Sequence, residues 1–284
     1  MNLAPTEVDP SRSMFPETLG QVAGRGRLQG RRILVIGAGQ RVIPEEQPPV
    51  GNGRAISVLF AREGAQVVCA DISAEAAQGT VDQVKREGGT AFAEVADVSD
   101  VSVIAPLVQR AAKAMGGLDG LVLNVGISHG LPLDKITPES WDKEYAVNLR
   151  SHMFFAQSAL GLMDEGGSIV LMSSLASLRN PSRNPAYESS KAAQVALARA
   201  IAVAGESKGI RCNSVLPGLM DTPMGRDATR KRPNRAVAVP FGRQGTGWEV
   251  AYATLYLISH ESSYVNGHAL LADGGLSIGV TRAA

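Results

Sequence analysis

Tyr187 and Lys191 stand four residues apart in the run Tyr187-Glu188-Ser189-Ser190-Lys191. That spacing puts a phenol and an ammonium on one face of a helix, about one turn from each other. On its own the pattern is common and usually marks a solvated helix face, so its meaning depends on what else the chain carries. Nearer the N-terminus, Gly37-Ala38-Gly39-Gln40 and Gly51-Asn52-Gly53 bracket the passage from an apolar run into a helical one. Glycines there let backbone approach a pyrophosphate, and the helix N-terminus offers N–H groups and a positive dipole end. Glycine also serves tight turns for steric reasons alone. Asp71 closes the next apolar run 71 − 53 = 18 residues after Gly53, close to the ~20 at which an acidic side chain meets the adenosine ribose. A carboxylate there repels a 2′-phosphate, so the expected cofactor is NAD rather than NADP. The competing expectation is that Asp71 only caps the end of a strand.

Ten residues, 41–50, separate the two glycine groups. With Pro44, Pro48, Pro49, Glu45 and Glu46 they suit neither helix nor strand, and a surface loop is expected. Two roles stand even: a lid folded over the adenosine half of the cofactor, or an inert insertion, since lengthening a flexible loop costs little closure entropy. If Gly39-Gln40 and Gly51 lie close in space, the phosphate turn survives the insertion. The glutamates are expected to face solvent or a nearby arginine.

The elements that must position these groups alternate along the chain. Short apolar runs at 32–36, 66–71, 92–98, 120–124, 168–173, 210–216 and 268–272 read as strands. Helical patterns lie between them, at 53–63, from the N-cap Ser73 to 87, on to Met115, and at 140–163, 187–208 and 248–259. Seven strands separated by helices imply βαβ units: an α/β fold with a doubly wound parallel sheet and helices on both faces. One domain is expected over 29–284, preceded by a Pro- and Gly-containing tail at 1–28, ordered at best in part.

Composition narrows the field. The 284 residues are 44% hydrophobic and 19% charged, an ordinary globular profile with room for one large core. The net charge of +1, from 28 basic and 27 acidic residues, gives no field favouring nucleic acid. Cys69 and Cys212 sit in apolar runs and suggest neither a disulfide framework nor a metal site. With no signal-peptide pattern and no long apolar stretch, a cytoplasmic protein without membrane partners is expected.

Taken together, these residues resemble the short-chain dehydrogenase/reductase family over roughly residues 28–276. Ser173-Ser174 ends the fifth strand, and 187 − 174 = 13 is the interval between that family's catalytic serine and tyrosine. Asn148 matches the helix asparagine of its tetrad. Leu123-Asn124-Val125-Gly126 stands where the family carries N-N-A-G, and Asp97-Val98 matches its adenine-contacting pair. Pro217-Gly218-Leu219-Met220-Asp221-Thr222 matches the P-G-x-x-x-T segment around the nicotinamide, and Ala272-Asp273-Gly274-Gly275 its C-terminal D-G-G turn. Ile36 replaces the usual threonine before the first glycine, and Leu123 and Val125 replace Asn and Ala. These departures bear on the cofactor loops and leave the tetrad intact.

The resemblance implies an NAD-dependent oxidoreductase acting on a secondary alcohol or ketone. Tyr187 would serve as general acid/base, Ser174 would hydrogen-bond the reacting oxygen, Lys191 would hold the ribose and favour phenolate, and Asn148 would position a relay water. Cofactor contacts would come from Gly37, Gln40, Gly51, Asn52, Gly53, Asp71, Asp97, Val98, Asn124, Gly126, Tyr187, Lys191, Pro217, Gly218, Met220 and Thr222. It also implies a homotetramer built on the 140–163 and 187–208 helices. Residues 127–133, 175–186 and 220–242 should line the substrate cleft. Arg179, Arg183, Arg226, Arg230, Lys231, Arg232 and Arg235 would either rim it for a carboxylate, phosphate or CoA-type thioester or form solvated surface; His129 would either touch substrate or, the preferred reading, be an ordinary loop histidine. The alternatives are a catalytically silent cofactor sensor or scaffold, an NADPH-dependent 3-oxoacyl-thioester reductase, and an extended epimerase or dehydratase, for which the C-terminal part is too short.

Overall fold

The computed structural model describes residues 8–45, 47–179 and 183–278. In β1 (Arg32–Ile36), Ile33 and Val35 face one apolar cluster while Leu34 and Ile36 face another. A strand alternates its side chains between faces, so an unbroken apolar run means a sheet covered on both sides. The chain continues through α1 (Asn52–Arg62), β2 (Gln66–Asp71), α2 (Ala74–Arg86), β3 (Thr90–Val95), α3 (Ile104–Met115) and β4 (Gly120–Leu123). Then come α4 (Pro138–Tyr145), α5 (Ser151–Leu162), β5 (Ser168–Met172), α6 (Pro185–Gly205), β6 (Arg211–Pro217), α7 (Pro223–Lys231), α8 (Gly247–Ile258) and β7 (Ala269–Ala272).

These seven strands pair in parallel in the order β3-β2-β1-β4-β5-β6-β7, and Met220–Asp221 pairs with Gly245–Thr246 in a separate two-stranded sheet. Helices α1, α2 and α8 cover one face and α3, α5 and α6 the other. Phe60 and Phe155 are fully buried on opposite sides, each contributing on the order of 2–3 kcal/mol through apolar burial. Between β1 and β4 the winding reverses, and at such a switch point the loops leaving the strands open a crevice at their carboxyl ends.

Most expected boundaries hold within two residues, and the exceptions have physical causes. The third strand ends at Val95 rather than 98, because Asp97 folds into a turn whose carboxylate accepts from Ser99 N (2.9 Å) and Ser99 Oγ (2.7 Å). The expected 140–163 helix is interrupted by a π-helical segment, Ala146–Arg150, with Asn148 at its centre. Within 220–242 lies a helix, α7, that apolar periodicity could not reveal, because Pro223 is its one buried residue.

The tail is better held than its composition suggests. From Val8 to Leu28 it forms two short 3-10 turns and lies on α1 and α8. Gly20, at φ 68°, presses on the Trp248 ring, where a Cβ would come within 2.2 Å, and Arg62 stacks over that ring while donating to Gly20 O (2.6 Å). Glu63, 1% exposed, anchors the end of the tail: its carboxylate accepts from Arg25 N (2.8 Å), Arg27 N (3.0 Å) and the Arg27 guanidinium (2.6 Å).

Burial alone would raise the Glu63 carboxyl, but the Arg27 guanidinium and the two backbone donors outweigh it and hold it below the ordinary range. A lowered folded-state pKa stabilises at pH above the unfolded carboxylate value, and that contribution is lost as pH falls through the folded one. Glu63→Gln should therefore lose about 3 kcal/mol at neutral pH in urea unfolding, and the deficit should shrink on acidification. Glu17→Gln, whose Arg25 partner is exposed, should stay within about 0.5 kcal/mol of the parent. Equal losses in the two variants would remove Glu63 as the anchor.

Candidate active site

The cleft is assembled from loops that leave β1, β2, β4, β5 and β6 at one edge of the sheet. Gly37 adopts φ 77°, and a Cβ there would strike the Val125 backbone at 2.7 Å. Gly53 lies so close to Gly37 O that a Cβ would approach to 1.9 Å. Asn124 closes the same corner, its Nδ2 donating to Gly37 O (2.7 Å) and its N to Ile36 O (3.0 Å). Gly39-Gln40 and Gly51 do lie close in space across the insertion: Gly51 N donates to Gln40 Oε1 (3.0 Å), closing the neck.

This corner fits a dinucleotide. A Cβ on Gly51 would meet only ordinary contacts, at 3.8 Å and beyond, so the turn is open on that side. Gly51 places no side-chain cap on α1, leaving its first N–H groups for an anion. Asp71 makes the strand-end turn of the competing expectation, Oδ1 accepting from Ser73 N (3.1 Å), and Oδ2 also accepts from Gly39 N (2.9 Å). A carboxylate has about four acceptor positions, so the bracing leaves capacity for ribose hydroxyls. Val98 is buried behind this end of the sheet, and Asp97 also pairs with Lys143 at 3.4 Å.

On the far side of the crevice, α6 carries Tyr187 and Lys191, with Lys191 Nζ 5.6 Å from the Tyr187 ring centroid. Burial pushes the phenol up; the Ser174 hydroxyl draws it back, and the charge of Glu144 raises it further. Burial alone pushes Lys191 down to about 7. Its ammonium donates to Met172 O (2.8 Å) and Gln194 Oε1 (3.4 Å). Gly126 lies against it, where a Cβ would stand 3.1 Å from Nζ. Asn148 is fully buried, its Oδ1 accepting from Ile127 N (2.8 Å) and its Nδ2 donating to Ile127 O (2.9 Å) and Ser190 Oγ (3.1 Å). The π turn that holds it is a device often found at functional sites.

Pro217 and Gly218 meet the D-G-G turn, because Gly218 N donates to Ala272 O (2.9 Å) and a Cβ on Gly218 would collide with Asp273 Cα at 2.7 Å. Met220 is buried, and Thr222 caps α7 by accepting from Gly225 N (3.1 Å). Each candidate residue of the sequence reading thus lies on this crevice or in the turns that build it. Among the described residues, no group of three His, Cys, Asp or Glu side chains could hold a metal ion.

Sequence reasoning passed over Glu144, His152 and Gln194. Glu144 is 1% exposed and accepts from His129 N (2.6 Å) and His129 Nδ1 (2.9 Å), so His129 has a specific partner. His152 and Gln194 are fully buried. The signal was present: His152 follows Asn148 by four and Gln194 follows Lys191 by three, so each shares the helix face of a candidate residue.

The insertion does not stand alone at the rim; it is strapped to α7. Arg41 pairs with Asp227 and donates to Pro223 O (2.9 Å), while Glu45 bridges Arg226 (3.2 Å) and Arg230 (3.0 Å). Arg226 also binds Asp221, and Arg230 binds Asp227. Ile43 is buried beneath the loop. Arg226 and Arg230 of α7 are therefore partnered by the insertion and by neighbouring carboxylates, which favours the surface alternative over an anion-binding rim for these two. Arg179 donates to Leu276 O and Arg235 to Gly225 O, and residues 180–182 of the loop before Tyr187 lie outside the described residues.

Comparison with known proteins gives consistent results. Residues 50–277 match the family model described as Enoyl-(Acyl carrier protein) reductase, a match that opens just past the body of the insertion. The 3-oxoacyl-acyl-carrier-protein reductase FabG of Thermotoga maritima is 34% identical over 255 residues, covering 89% of this chain and 100% of the relative. The 2,5-dichloro-2,5-cyclohexadiene-1,4-diol dehydrogenase LinX of Sphingobium indicum is 32% identical over 260 residues, 89% of this chain and 99% of the relative. Among solved structures, a short-chain dehydrogenase/reductase from Serratia marcescens superposes with a TM-score of 0.81 at 31% identity, covering 88% of this chain and 99% of that one. A short chain dehydrogenase from Burkholderia cenocepacia in complex with NADP gives 0.80 at 32% identity, with the same coverage.

If the ion pairs between the insertion and α7 hold that helix down, removing them should loosen it locally while leaving the core intact. The double substitution Arg41→Ala and Glu45→Ala should speed tryptic cleavage after Arg226, Arg230 or Lys231 about fivefold, the effect of ~1 kcal/mol of local opening. Global urea stability should change by less than about 1 kcal/mol. Cleavage at the parental rate would show that the strap does not restrain α7.

Proposed function

Because the chain belongs to the short-chain dehydrogenase/reductase family and is a hydride-transfer oxidoreductase acting on CH–OH groups, we propose that it interconverts a secondary alcohol and a ketone with NAD. The observation that carries this reading is the Tyr187–Lys191 pair, the phenol half-buried and the ammonium buried, with Ser174 against the phenol and Gly126 against the ammonium. When bound, the nicotinamide supplies the hydride acceptor or donor. Gly37, Gly51, Asn52 and Gly53, together with the free end of α1, would hold the pyrophosphate, with Gln40 bracing the turn. Asp71 would take the adenosine ribose, and Asp97 and Val98 would lie at the adenine. Asn124, Gly126, Pro217, Gly218, Met220 and Thr222 would enclose the nicotinamide half.

In the proposed mechanism Tyr187 Oη takes the proton of the substrate alcohol, or returns it to the carbonyl oxygen. A free phenol near pKa 10 is a poor base at neutral pH, and burial makes this one poorer. Lys191, as an ammonium ion beside the ring, favours the phenolate and would also hold the nicotinamide ribose. The Ser174 hydroxyl donates to the reacting oxygen and steadies the negative charge that develops there. Asn148 holds the 127 segment in place through its paired bonds to Ile127.

The preference for NAD rests on Asp71, whose carboxylate at the end of β2 disfavours a 2′-phosphate by like-charge repulsion. An NADPH-dependent 3-oxoacyl-thioester reductase is the second reading, favoured by the likeness to the Thermotoga reductase and to an NADP complex. A silent sensor is disfavoured because it would have no use for Ser174, Tyr187, Lys191 and Asn148 together. The two free cysteines are buried and suit the reducing cytoplasm, where we place the enzyme. We also propose a homotetramer. A groove of about 880 Å³ along α4, α5 and α6, lined by Tyr145, Leu149, Met153, Phe154 and Leu197, supports it.

Tyr187→Phe should lose at least about a hundredfold in turnover while NAD affinity stays nearly constant by fluorescence titration. Turnover like that of the parent would end this mechanism. The parent should also prefer NAD over NADP in kcat/KM, with Asp71→Ala narrowing the gap. Equal efficiency with the two cofactors in the parent would reduce Asp71 to its bracing role.

A further inference from the structure

Behind the candidate pair runs a chain of hydrogen bonds. His152 Nε2 lies 3.1 Å from Val125 O, Gln194 Nε2 lies 3.0 Å from His152 Nδ1 and also bonds Asn148 O, and Lys191 Nζ lies 3.4 Å from Gln194 Oε1. His152, Gln194 and Asn148 are fully buried and Lys191 nearly so.

The direction of every bond follows from chemistry. A backbone carbonyl can only accept, so His152 Nε2 carries a proton. Burial, together with the charge of Lys191, pushes His152 down to about 3, so it is neutral and its Nδ1 must accept. The group facing Nδ1 and Asn148 O is therefore the NH₂ end of the Gln194 amide. That leaves Oε1 facing Lys191.

We propose that Gln194 is a positioning residue: its amide oxygen keeps Lys191 an ammonium ion and, with Met172 O, aims the remaining proton of that ammonium at the cleft, while His152 locks the amide the right way round. The proposal rests on the role given to Lys191 above. A buried ammonium survives only where acceptors replace the water it has lost. Lys191 has two among the described residues, and one is a side chain that substitution can remove. The titratable groups facing it are few: Tyr187 on its own helix, His152 on α5, and Glu144 on α4, which bears on Tyr187. Strand β5 carries no titratable side chain. In β6 only Arg211 and Cys212 titrate, and they pair with Ser168 and Ile169 at the opposite end of β5 from Met172.

The test reads Lys191 directly. In cofactor-free protein labelled with ¹³C-lysine, the Lys191 Cε resonance, assigned by its loss in Lys191→Met, is titrated by NMR. In Gln194→Met the ammonium loses an acceptor and its midpoint should fall by about one pH unit. In Gln194→Glu an acceptor is kept and a negative charge added, so the midpoint should rise. A lowered lysine midpoint means the proton is lost at lower pH, so the alkaline limb of kcat/KM for ketone reduction should move down in Gln194→Met and up in Gln194→Glu. A purely structural role would not split the two variants in opposite directions. Should Gln194→Met not fold, Gln194→Leu, which removes the same acceptor with a shorter apolar side chain, must still lower the midpoint. A Lys191 midpoint the same as the parent's in Gln194→Met, or in Gln194→Leu where that variant stands in, overturns the proposal. A parent enzyme without oxidoreductase activity would instead overturn the role of Lys191, and the NMR titration tells the two failures apart.

Discussion

An ammonium group shut away from water is the constraint on which the rest of the site depends. Lys191 sits in the core between α6 and the end of β5, and burial brings it down to about 7. Water would have supplied its missing hydrogen bonds at no cost in geometry; the protein must supply them from fixed positions. Met172 O at the end of β5 and Gln194 one turn along α6 do so, and each must itself be held. Ser173 Oγ donates to Lys191 O (2.7 Å), tying strand end to helix. The π segment brings Asn148 O within reach of Gln194 and the Asn148 side chain within reach of Ile127. Much of the polar burial in this half of the molecule follows from keeping one charge in place.

The other half of the crevice obeys a steric constraint. Glycines at 37 and 53 allow strand, turn and helix to approach more closely than any Cβ would permit, and Asn124 and Asp71 pin the resulting turn from two neighbouring strands. The turn tolerates ten additional residues because Gln40 closes the neck below them. What those residues do is set by charge. Arg41 and Glu45 find opposite partners on α7, so the loop that leaves the phosphate turn is joined to the helix that caps the other side of the crevice. Individually such exposed pairs are weak, but here they are linked through shared arginines and carboxylates, and they neutralise a stretch that would otherwise present a strongly basic rim.

The sequence carried the sheet plainly because burial on both faces requires unbroken apolar runs, as in Arg32–Ile36 and Ser168–Met172. It carried the candidate residues because their order and spacing along the chain are themselves the signal. It did not carry α7, whose residues are mostly polar and which is defined by its Thr222 cap and the partners of its arginines. Nor did it carry the docking of residues 8–28, which depends on Glu63 and Trp248 lying ready to receive them.

What the sequence determined by itself is local and periodic: strand and helix alternation, glycines where the backbone must pack closely, and a phenol and an ammonium one helical turn apart. Tertiary structure alone decided which charges meet. Nothing along the chain pairs Glu45 with Arg226, 181 residues away, or joins His152 to Gln194, 42 residues away. The reason is physical: hydrophobic periodicity is read over one or two turns of chain, whereas a hydrogen bond or ion pair is satisfied by whatever partner the folded backbone brings within about 3 Å. The same sequence feature, an arginine-rich stretch, can therefore rim a cleft or fasten a loop, and only the fold says which.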